Sequence, residues 1–432
     1  MKKISTVILA AGNSTRFKHT KSKIYQDLAG ASIIEHVYNI AKKVSKRNVV
    51  FVCNKNNIDE LKILFPEAKF VIQINQKGTA DALLQAKKYL NNINTLILFG
   101  DVPLISYESI KKLINNFKKK NSVGSMIAFK TPNPYAYGRV IIQDGYVSRV
   151  VEELHASKNQ KKINLCNSGV MLCNTNILFS NISKISDKNS KKERYLPDII
   201  NILFERKKYF THVVVVEEEV LGINTIKDLI KIDSIYQKYL KNKMIEKGVI
   251  FYQPDSTRIS YDTKIKKGTI IESHVVIKKG VVLESDVLIK SHSVLENCKI
   301  DSKSTIGPSA RIRPQSHIGN NVKIGNFVEI KNSKIGNNSS VSHLSYIGDS
   351  NIGNNVNIGA GTITCNFDGK KKNKTFVENN VFIGSNCSLI APIRIGSHST
   401  IGAGSVINKN IPRNHLALER SEVKILRKKV KK

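Results

Sequence analysis

Between residues 265 and 407 an aliphatic side chain returns at every sixth position, and this period constrains the fold more than any other feature of the chain. Ile265, Ile271, Ile277, Leu283, Ile289 and Leu295 run without a break. After a one-residue slip the beat continues at Ile300, Ile306, Ile312, Ile318, Ile324 and Ile330, slips to Ile335, Val341 and Ile347, and slips once more to Ile352 and Ile358. A polar excursion follows over 364–375 (TCNFDGKKKNKT), and Val377, Ile383, Leu389, Ile395, Ile401 and Ile407 resume the count. Strand alternation has a period of about two and helical patterning about 3.6, so neither accounts for six. Three short strands per coil, each turning one aliphatic side chain inward, do account for it. The pattern predicts a parallel β-helix whose stacked Ile and Val fill the axis of a prism and which buries its core only by stacking coils. The slips read as corner adjustments or bulges, and the excursion as a loop thrown off the coil.

The first half carries a different rhythm, in which aliphatic strands alternate with amphipathic helical segments. Strands are expected at 6–10, 48–53, 69–74, 95–99, 124–129, 139–143, 169–173 and 212–217. Such alternation predicts an α/β domain with a mostly parallel sheet, and ligands in open α/β sheets bind at the carboxyl ends of the strands. A chain of 432 residues, 41% apolar and 24% charged, has ample core for two or three soluble domains. No uninterrupted apolar run approaches the roughly 18 residues of a membrane span, and the apolar stretch 7–11 is too short for a signal peptide. Cys53, Cys166, Cys173, Cys298, Cys365 and Cys387 form no CxxC pair and no ligand-like spacing with His, which argues against a disulfide framework or zinc site and fits a reducing cytoplasm. The formal charge of +35 raises nucleic-acid binding, yet the lysines are spread along both halves among Asn and Ile, as a codon bias would spread them. The one dense cluster is the tail 424–432 (KILRKKVKK), so the charge is read as attraction for anionic phosphorylated substrates rather than as a specific nucleic-acid site.

Two strand-end loops stand out. The stretch LAAGNSTR (9–16) has small residues that let backbone N–H groups approach a phosphate chain, with Arg16 and Lys23 to neutralise it. It is neither a Walker A loop nor GxGxxG, and taken alone it fits a plain strand-to-helix turn equally. The stretch LFGDVPL (98–104) sets Asp101 at the tip of an apolar strand, where it suits Mg²⁺ in phosphoryl-type transfer, although Asp is also a common turn residue before Pro. In the second half, His343 falls two positions after the inward Val341, and Arg313, Lys331, Tyr346 and Asn357 lie within a few coils. An imidazole suits general-base work near neutral pH, and Arg313 with Lys331 offers cations for an anionic group.

Taken together, LAAGNSTRF, Lys23, Gln73 with QKGT (76–79), FGDVPL, YGR (137–139), VEE (151–153), CNSG (166–169) and GIN (222–224) resemble the sugar nucleotidyltransferase half of the bacterial bifunctional enzymes that make UDP-N-acetylglucosamine. The hexad half resembles their acetyltransferase domain, a left-handed parallel β-helix. The stretch 226–247, with Leu229, Ile232, Tyr236, Tyr239 and Leu240 at helical spacing, resembles the connecting helix. The resemblance implies a nucleotidyltransferase domain at 1–226, a helical linker at 227–247 and a β-helix acetyltransferase domain with tail at 248–432. It implies acetylation of glucosamine 1-phosphate by acetyl-CoA, then joining of N-acetylglucosamine 1-phosphate to UTP with release of pyrophosphate, in a homotrimer without a membrane span.

By the same resemblance Asp101 and Asn224 hold Mg²⁺, while Leu9, Ala10, Ala11, Gly12, Arg16, Lys23, Gln73, Gly78, Thr79, Phe99 and Gly100 receive the nucleotide. Gly138, Glu152 and Asn167 match positions that hold the amino sugar. In the second half His343 matches the general base, Arg313, Lys331, Tyr346 and Asn357 the sugar-phosphate contacts, and Ala360, Asn366, Phe367, Ser385, Ala403 and Arg420 the acetyl-CoA contacts. The chain departs from the family pattern at Ser14 for Gly, Ser22 for Pro, and Phe99 and Phe367 for Tyr, which removes hydroxyls and alters loop stiffness but removes no charge the chemistry needs. Two other readings remain: a nucleotidyltransferase whose β-helix is purely architectural, and a scaffold or nucleic-acid protein exploiting the charge.

Overall fold

In the computed structural model the first strand, β1 (Ile4–Leu9), is buried along its whole length, and its side chains alternate between two cores. Val7 and Leu9 belong to one apolar cluster, Ile4 and Ile8 to the other, which is why the run reads as continuously apolar. The structure describes residues 4–90, 92–118, 122–189, 192–420 and 422–427. The first three residues and the last five of the basic tail lie outside the described residues. Contacts divide the chain into Met1–Ile235 and Tyr236–Lys432.

The first unit is built on a sheet of nine strands among the described residues. After β1 come β2 (Val49–Cys53), β3 (Lys69–Ile72), β4 (Asn94–Phe99), β5 (Ser122–Lys130), β6 (Arg139–Gln143), β7 (Tyr146–Val151), β8 (Leu165–Asn174) and β9 (Tyr209–Val215). They lie side by side in the order β3-β2-β1-β4-β8-β5-β9-β7-β6. The parallel arrangement expected from strand–helix alternation holds for β3-β2-β1-β4 and for β5-β9. β8 enters antiparallel between β4 and β5, and β6 pairs with β7 as an antiparallel hairpin. β7 is absent from the strands expected above, although Asp144 and Gly145, both at positive φ, form the Asp-Gly turn that announces such a hairpin. Several helices of this unit begin with a side-chain cap, at Ser32, Ser106 and Asn174. In α1 (Ile33–Ser45), Ser32 and Glu35 form a reciprocal capping box. Because β1 to β4 run the same way, their carboxyl ends bring the loops after Leu9, Cys53, Ile72 and Phe99 to one edge.

The second unit is the predicted coil. Its inward residues fall on three parallel faces: Phe251, Ile271, Ile289, Ile306, Ile324, Val341, Ile358, Ile383 and Ile401 on the first, Ile259 to Ile407 on the second, and Ile265 to Ile395 on the third. All are buried. Each stacked Ile contributes on the order of 1.5–3 kcal/mol of apolar burial, so the column is the source of the unit's stability. The three slips and the long excursion all occur at the corner between the second and third faces, as in Leu295 to Ile300, Ile330 to Ile335, Ile347 to Ile352 and Thr364 to Val377. The corner between the third and first faces is paved with asparagine. Asn321, Asn338, Asn355 and Asn380 take left-handed backbone, which Asn tolerates better than most residues. One position earlier, the backbone N–H groups of Asn320, Asn337 and Asn354 each donate to the side-chain oxygen of the asparagine one coil on, at 2.8, 2.7 and 2.8 Å.

α2 (Ile226–Ile245) follows Asn224 and Thr225, whose backbone N–H groups are held by the Asp228 carboxylate. Its later residues belong to the β-helix unit: Gln237 exchanges two hydrogen bonds with the Ile259 backbone (2.8 and 3.0 Å), and the Lys241 ammonium donates to the carbonyls of Pro254 and Thr257. Both side chains are buried. A fragment starting at Tyr236 should therefore unfold at a higher temperature than one starting at Gly248, by several degrees, since the bonds lost are together worth about 2–4 kcal/mol. Equal thermal midpoints for the two fragments would remove these helix residues from the β-helix unit.

Candidate active sites

At the carboxyl edge of the sheet four polar side chains converge. The Lys23 ammonium donates to Asp101 Oδ2 at 2.5 Å and to Asn224 Oδ1 at 3.3 Å, and Arg16 Nη2 donates to the same Asn224 oxygen at 2.9 Å. The backbone enforces this. Gly100 N–H bonds Leu9 O (2.9 Å), placing the turn after β4 against the end of β1, and Ile223 N–H bonds Asp101 O (2.9 Å), bringing Asn224 beside it. A side chain at Gly100 would strike Ile34 and the Leu9 carbonyl. Two oxygen donors facing one cation is the donor chemistry Mg²⁺ prefers, and here the ammonium stands where such an ion fits. No cluster of three or more His, Cys, Asp or Glu able to hold a metal occurs among the described residues.

The small-residue loop is tied down from below. Asn57 donates to Ala10 O, Asn54 and Gln76 to Ala11 O, and Asn13 and Gln76 exchange a reciprocal amide pair at 3.1 and 2.9 Å. Gly12 faces open space. Ser14 has φ 54°, a backbone position that explains why Gly is usual there, and its hydroxyl lies 3.4 Å from that of Ser22, so two of the departures from the family pattern touch each other. Gln73 is buried with its amide donating to Gly78 O and Asp81. Gly78 has φ 96°, and a Cβ there would lie 2.5 Å from the Arg194 carbonyl, because the segment around Arg194 docks on the QKGT turn through Arg194 N–H to Lys77 O and Leu196 N–H to Thr79 Oγ.

A second group lies beside it. Asn167 N–H donates to Gly138 O, the Glu152 carboxylate rests over Gly138, and Asn167 Oδ1 accepts from Gly169 N–H at 2.8 Å. Gly169, at φ 83°, leaves room for the Phe99 ring, so the departure from Tyr to Phe removes a hydroxyl but keeps this packing. Arg139 and Glu153 belong to the motifs YGR and VEE, but nothing in the sequence gives them a role. They form a salt bridge (2.5 Å) in which Arg139 is almost fully buried, and the Arg139 guanidinium holds the Glu153 carboxyl below its usual range.

In the β-helix, His343 stands at the corner between the first and second faces. Its Nδ1 donates to Asn326 Oδ1 at 2.6 Å. With that oxygen accepting, Nδ1 is the donor in this bond, and Nε2 is left outside it on an exposed residue. Asn326 escapes sequence reasoning; the signal is its place, the same coil position one turn earlier. The ladder continues upward through Gly361 N–H to His343 O, Asn386 N–H to Ala360 O and Gly404 N–H to Ser385 O, so Ala360, Ser385 and Ala403 are successive coil equivalents of His343. A column of small side chains thus runs from the imidazole. The tail folds onto its far end: Leu416–Ala417 pairs with Thr400–Ile401, and Arg420 Nη2 comes within 3.5 Å of where a Gly402 side chain would stand.

On the second face, Arg313, Lys331 and Gly348 occupy one column, and the Tyr346 hydroxyl lies across Gly348. Arg313 donates to Glu329 at 2.7 Å, which raises the guanidinium pKa. Asn357 sits on the first face, in register with Ser340 and Phe382. The excursion is a small loop closed by the Phe367–Lys372 bridge and by Asp368, whose carboxylate accepts from Lys371 N–H, Lys370 N–H and Asn373 and is held down at about 2. Phe367 is exposed on it, and Asn366, at its base, is buried. The loop also brings in a residue that the sequence does not single out: the Lys372 ammonium abuts that of Lys331, which pushes the Lys372 pKa down. Burial pushes the thiols of Cys53, Cys173 and Cys298 up to about 12, which leaves them poor nucleophiles.

Fold and sites together define a two-part transferase, with nucleotide-type loops on an α/β sheet and an imidazole heading a column of small residues on a hexapeptide coil. Residues 6–164 match the MobA-like NTP transferase domain, residues 295–368 the GMPPB C-terminal domain, and residues 374–409 the bacterial transferase hexapeptide (six repeats). The bifunctional protein GlmU of Bartonella bacilliformis is 36% identical over 421 residues, covering 96% of this chain and 94% of its own. Those of Zymomonas mobilis and Buchnera aphidicola are 37% and 38% identical, covering 98% and 95% of this chain and 95% and 93% of their own. The chain belongs to the GlmU family of bifunctional proteins. It is accordingly a uridylyltransferase in its first half and an acetyltransferase in its second.

The glycines separate stability from binding. Gly78→Ala should cost about 2–4 kcal/mol in denaturant unfolding, since it adds strain at positive φ to a clash with backbone. Gly12→Ala, whose new methyl meets nothing, should stay within about 0.5 kcal/mol of the parent while weakening UTP binding measured by calorimetry. Unaltered UTP affinity in Gly12→Ala would take the loop out of the nucleotide site.

Proposed function

We propose that the β-helix acetylates glucosamine 1-phosphate from acetyl-CoA and that the α/β unit then joins the N-acetylglucosamine 1-phosphate to UTP, giving UDP-N-acetylglucosamine and pyrophosphate. The observation that carries this reading is the His343–Asn326 hydrogen bond at the foot of the small-residue column. A purely architectural coil has no use for an exposed imidazole gripped by the side-chain amide of the coil below.

In acetyl transfer the amine of the sugar attacks the thioester carbonyl and His343 Nε2 accepts the proton released as the amide forms. That proton leaves with the coenzyme A thiolate. Arg313, Lys331 and Lys372 face the sugar phosphate, with Tyr346 and Asn357 orienting the ring. Ala360, Ser385 and Ala403 offer a flat path for the pantetheine arm, while Asn366, Phe367 and Arg420 flank it. Homotrimeric assembly with neighbouring coils, and a cytoplasmic setting, complete the proposal. No helix among the described residues is long and apolar enough to cross a membrane.

In uridylyl transfer the 1-phosphate oxygen attacks the α-phosphorus of UTP in line, with pyrophosphate leaving opposite. Lys23 and Arg16 turn from Asp101 and Asn224 to the phosphates. Backbone from Leu9 to Gly12 together with Gln73, Gly78, Thr79 and Gly100 holds the nucleotide, and Gly138, Glu152 and Asn167 hold the amino sugar beside Phe99. Mg²⁺, held by Asp101, Asn224 and phosphate oxygens, would neutralise the charge of the transferring group. Catalysis there is positioning and charge neutralisation, without a covalent enzyme intermediate.

A crossed pair of variants tests this assignment. Asp101→Asn should lower uridylyl kcat by about 10²-fold or more and leave acetyl transfer at the parent rate. His343→Ala should lower acetyl kcat by about 10² to 10⁴-fold, with KM, thermal midpoint and uridylyl transfer unchanged. Both activities falling together in either folded variant would defeat the two-site reading, and full acetylation by His343→Ala would make that histidine architectural.

A further inference from the structure

At the corner where the 366–374 loop leaves the coil stands Asp349, a buried carboxylate with left-handed backbone (φ 49°) that lies outside the set of substrate contacts. Each of its polar groups is committed. Oδ2 accepts from Asn366 Nδ2 at 2.5 Å, at the start of the loop, and its carbonyl accepts from Thr375 N–H at 3.3 Å, just past the loop's end. Oδ1 accepts from Asn332 Nδ2 at 2.6 Å, and its N–H donates to the Lys331 carbonyl at 3.0 Å. One residue therefore grips both ends of the loop and the backbone of the lysine that the loop's own Lys372 meets.

Two ammonium groups repel, and Lys372 is exposed on a loop closed by one bridge and the Asp368 turn. An unrestrained loop would carry Lys372 away from Lys331. We infer that Asp349 is a positioning residue for acetyl transfer: its four-way clamp on Asn366, Thr375, Asn332 and Lys331 holds Lys372 beside Lys331, preforming a paired-ammonium cradle for the dianionic phosphate of the acetyl acceptor. The inference rests on the reading of Lys331 as a phosphate contact. The cost of bringing the cations together is met on folding rather than on binding, so the clamp acts on ground-state affinity for the sugar phosphate and hardly on the proton transfer at His343. Asn366 in turn spends its amide nitrogen on Asp349 and approaches the Tyr346 hydroxyl at 3.4 Å, leaving its side-chain oxygen for a ligand.

The test uses the full chain and steady-state acetyl transfer with glucosamine 1-phosphate varied. Asp349→Asn presents a donor NH₂ to one of the two asparagine amides and should raise KM for glucosamine 1-phosphate about tenfold, with kcat and KM for acetyl-CoA within about twofold and uridylyl transfer unaltered. Lys372→Gln should raise the same KM, and the double variant should be no worse than Lys372→Gln alone, because the clamp acts through that lysine. Asn332→Ala, which removes one arm only, should give a smaller rise of about threefold and serves if Asp349→Asn does not fold. An unchanged KM in folded Asp349→Asn or Asn332→Ala, or effects of Asp349→Asn and Lys372→Gln that multiply, would overturn the inference. Lys331→Gln is the separate check: if it leaves KM for glucosamine 1-phosphate unmoved, the phosphate-site reading falls and the clamp with it.

Discussion

The stacking of one aliphatic side chain per face per coil holds the second half of the molecule together and also sets where its chemistry can stand. With nearly all inward positions committed to Ile, Val and Leu, the residues one and two places further along each strand recur at fixed points on the prism. Arg313 and Lys331 fall in one column for this reason, and Asn326, His343, Ala360, Ser385 and Ala403 in another. A solenoid aligns residues that are 17 or 25 positions apart in sequence as directly as a helix aligns neighbours a turn apart. The aspect that varies is the corner between the second and third faces, which absorbs every slip and releases the loop that carries Lys372.

In the first half the organising contact is electrostatic. Asp101 and Asn224 come from distant parts of the chain, and a single ammonium from Lys23 spans them. Arg16, from the small-residue loop itself, donates to the same Asn224 oxygen, so two cations from neighbouring segments meet at this pair of oxygens. Asp228 supports the arrangement from behind by fixing the backbone at Asn224 and Thr225.

The hexad period makes the coil and its loop legible in the bare sequence, because a solenoid writes its core as a one-dimensional count. Strand ends and the loops on them are nearly legible too, since the apolar run ends at Phe99 with β4 and only two alanines past Leu9, the end of β1. Pairing at a distance is not. The antiparallel insertion of β8 has no local signature, as Val170 to Cys173 would read the same in either direction. Asn326 is an ordinary corner residue until the coil length places it under His343, and Lys372 is one lysine in a run until Asp349 folds its loop back onto Lys331. The asparagines among which the lysines are spread have structural use where they pave a left-handed corner.

The central claim is that one chain performs both reactions in sequence. Purified protein mixed with glucosamine 1-phosphate, acetyl-CoA, UTP and Mg²⁺, and followed by product analysis, tests it most directly. The account predicts free coenzyme A, pyrophosphate and UDP-N-acetylglucosamine together, with the acetylated sugar nucleotide disappearing when acetyl-CoA is left out. UDP-N-acetylglucosamine formed only when N-acetylglucosamine 1-phosphate is supplied ready-made, with no coenzyme A released from the unacetylated sugar, would contradict it.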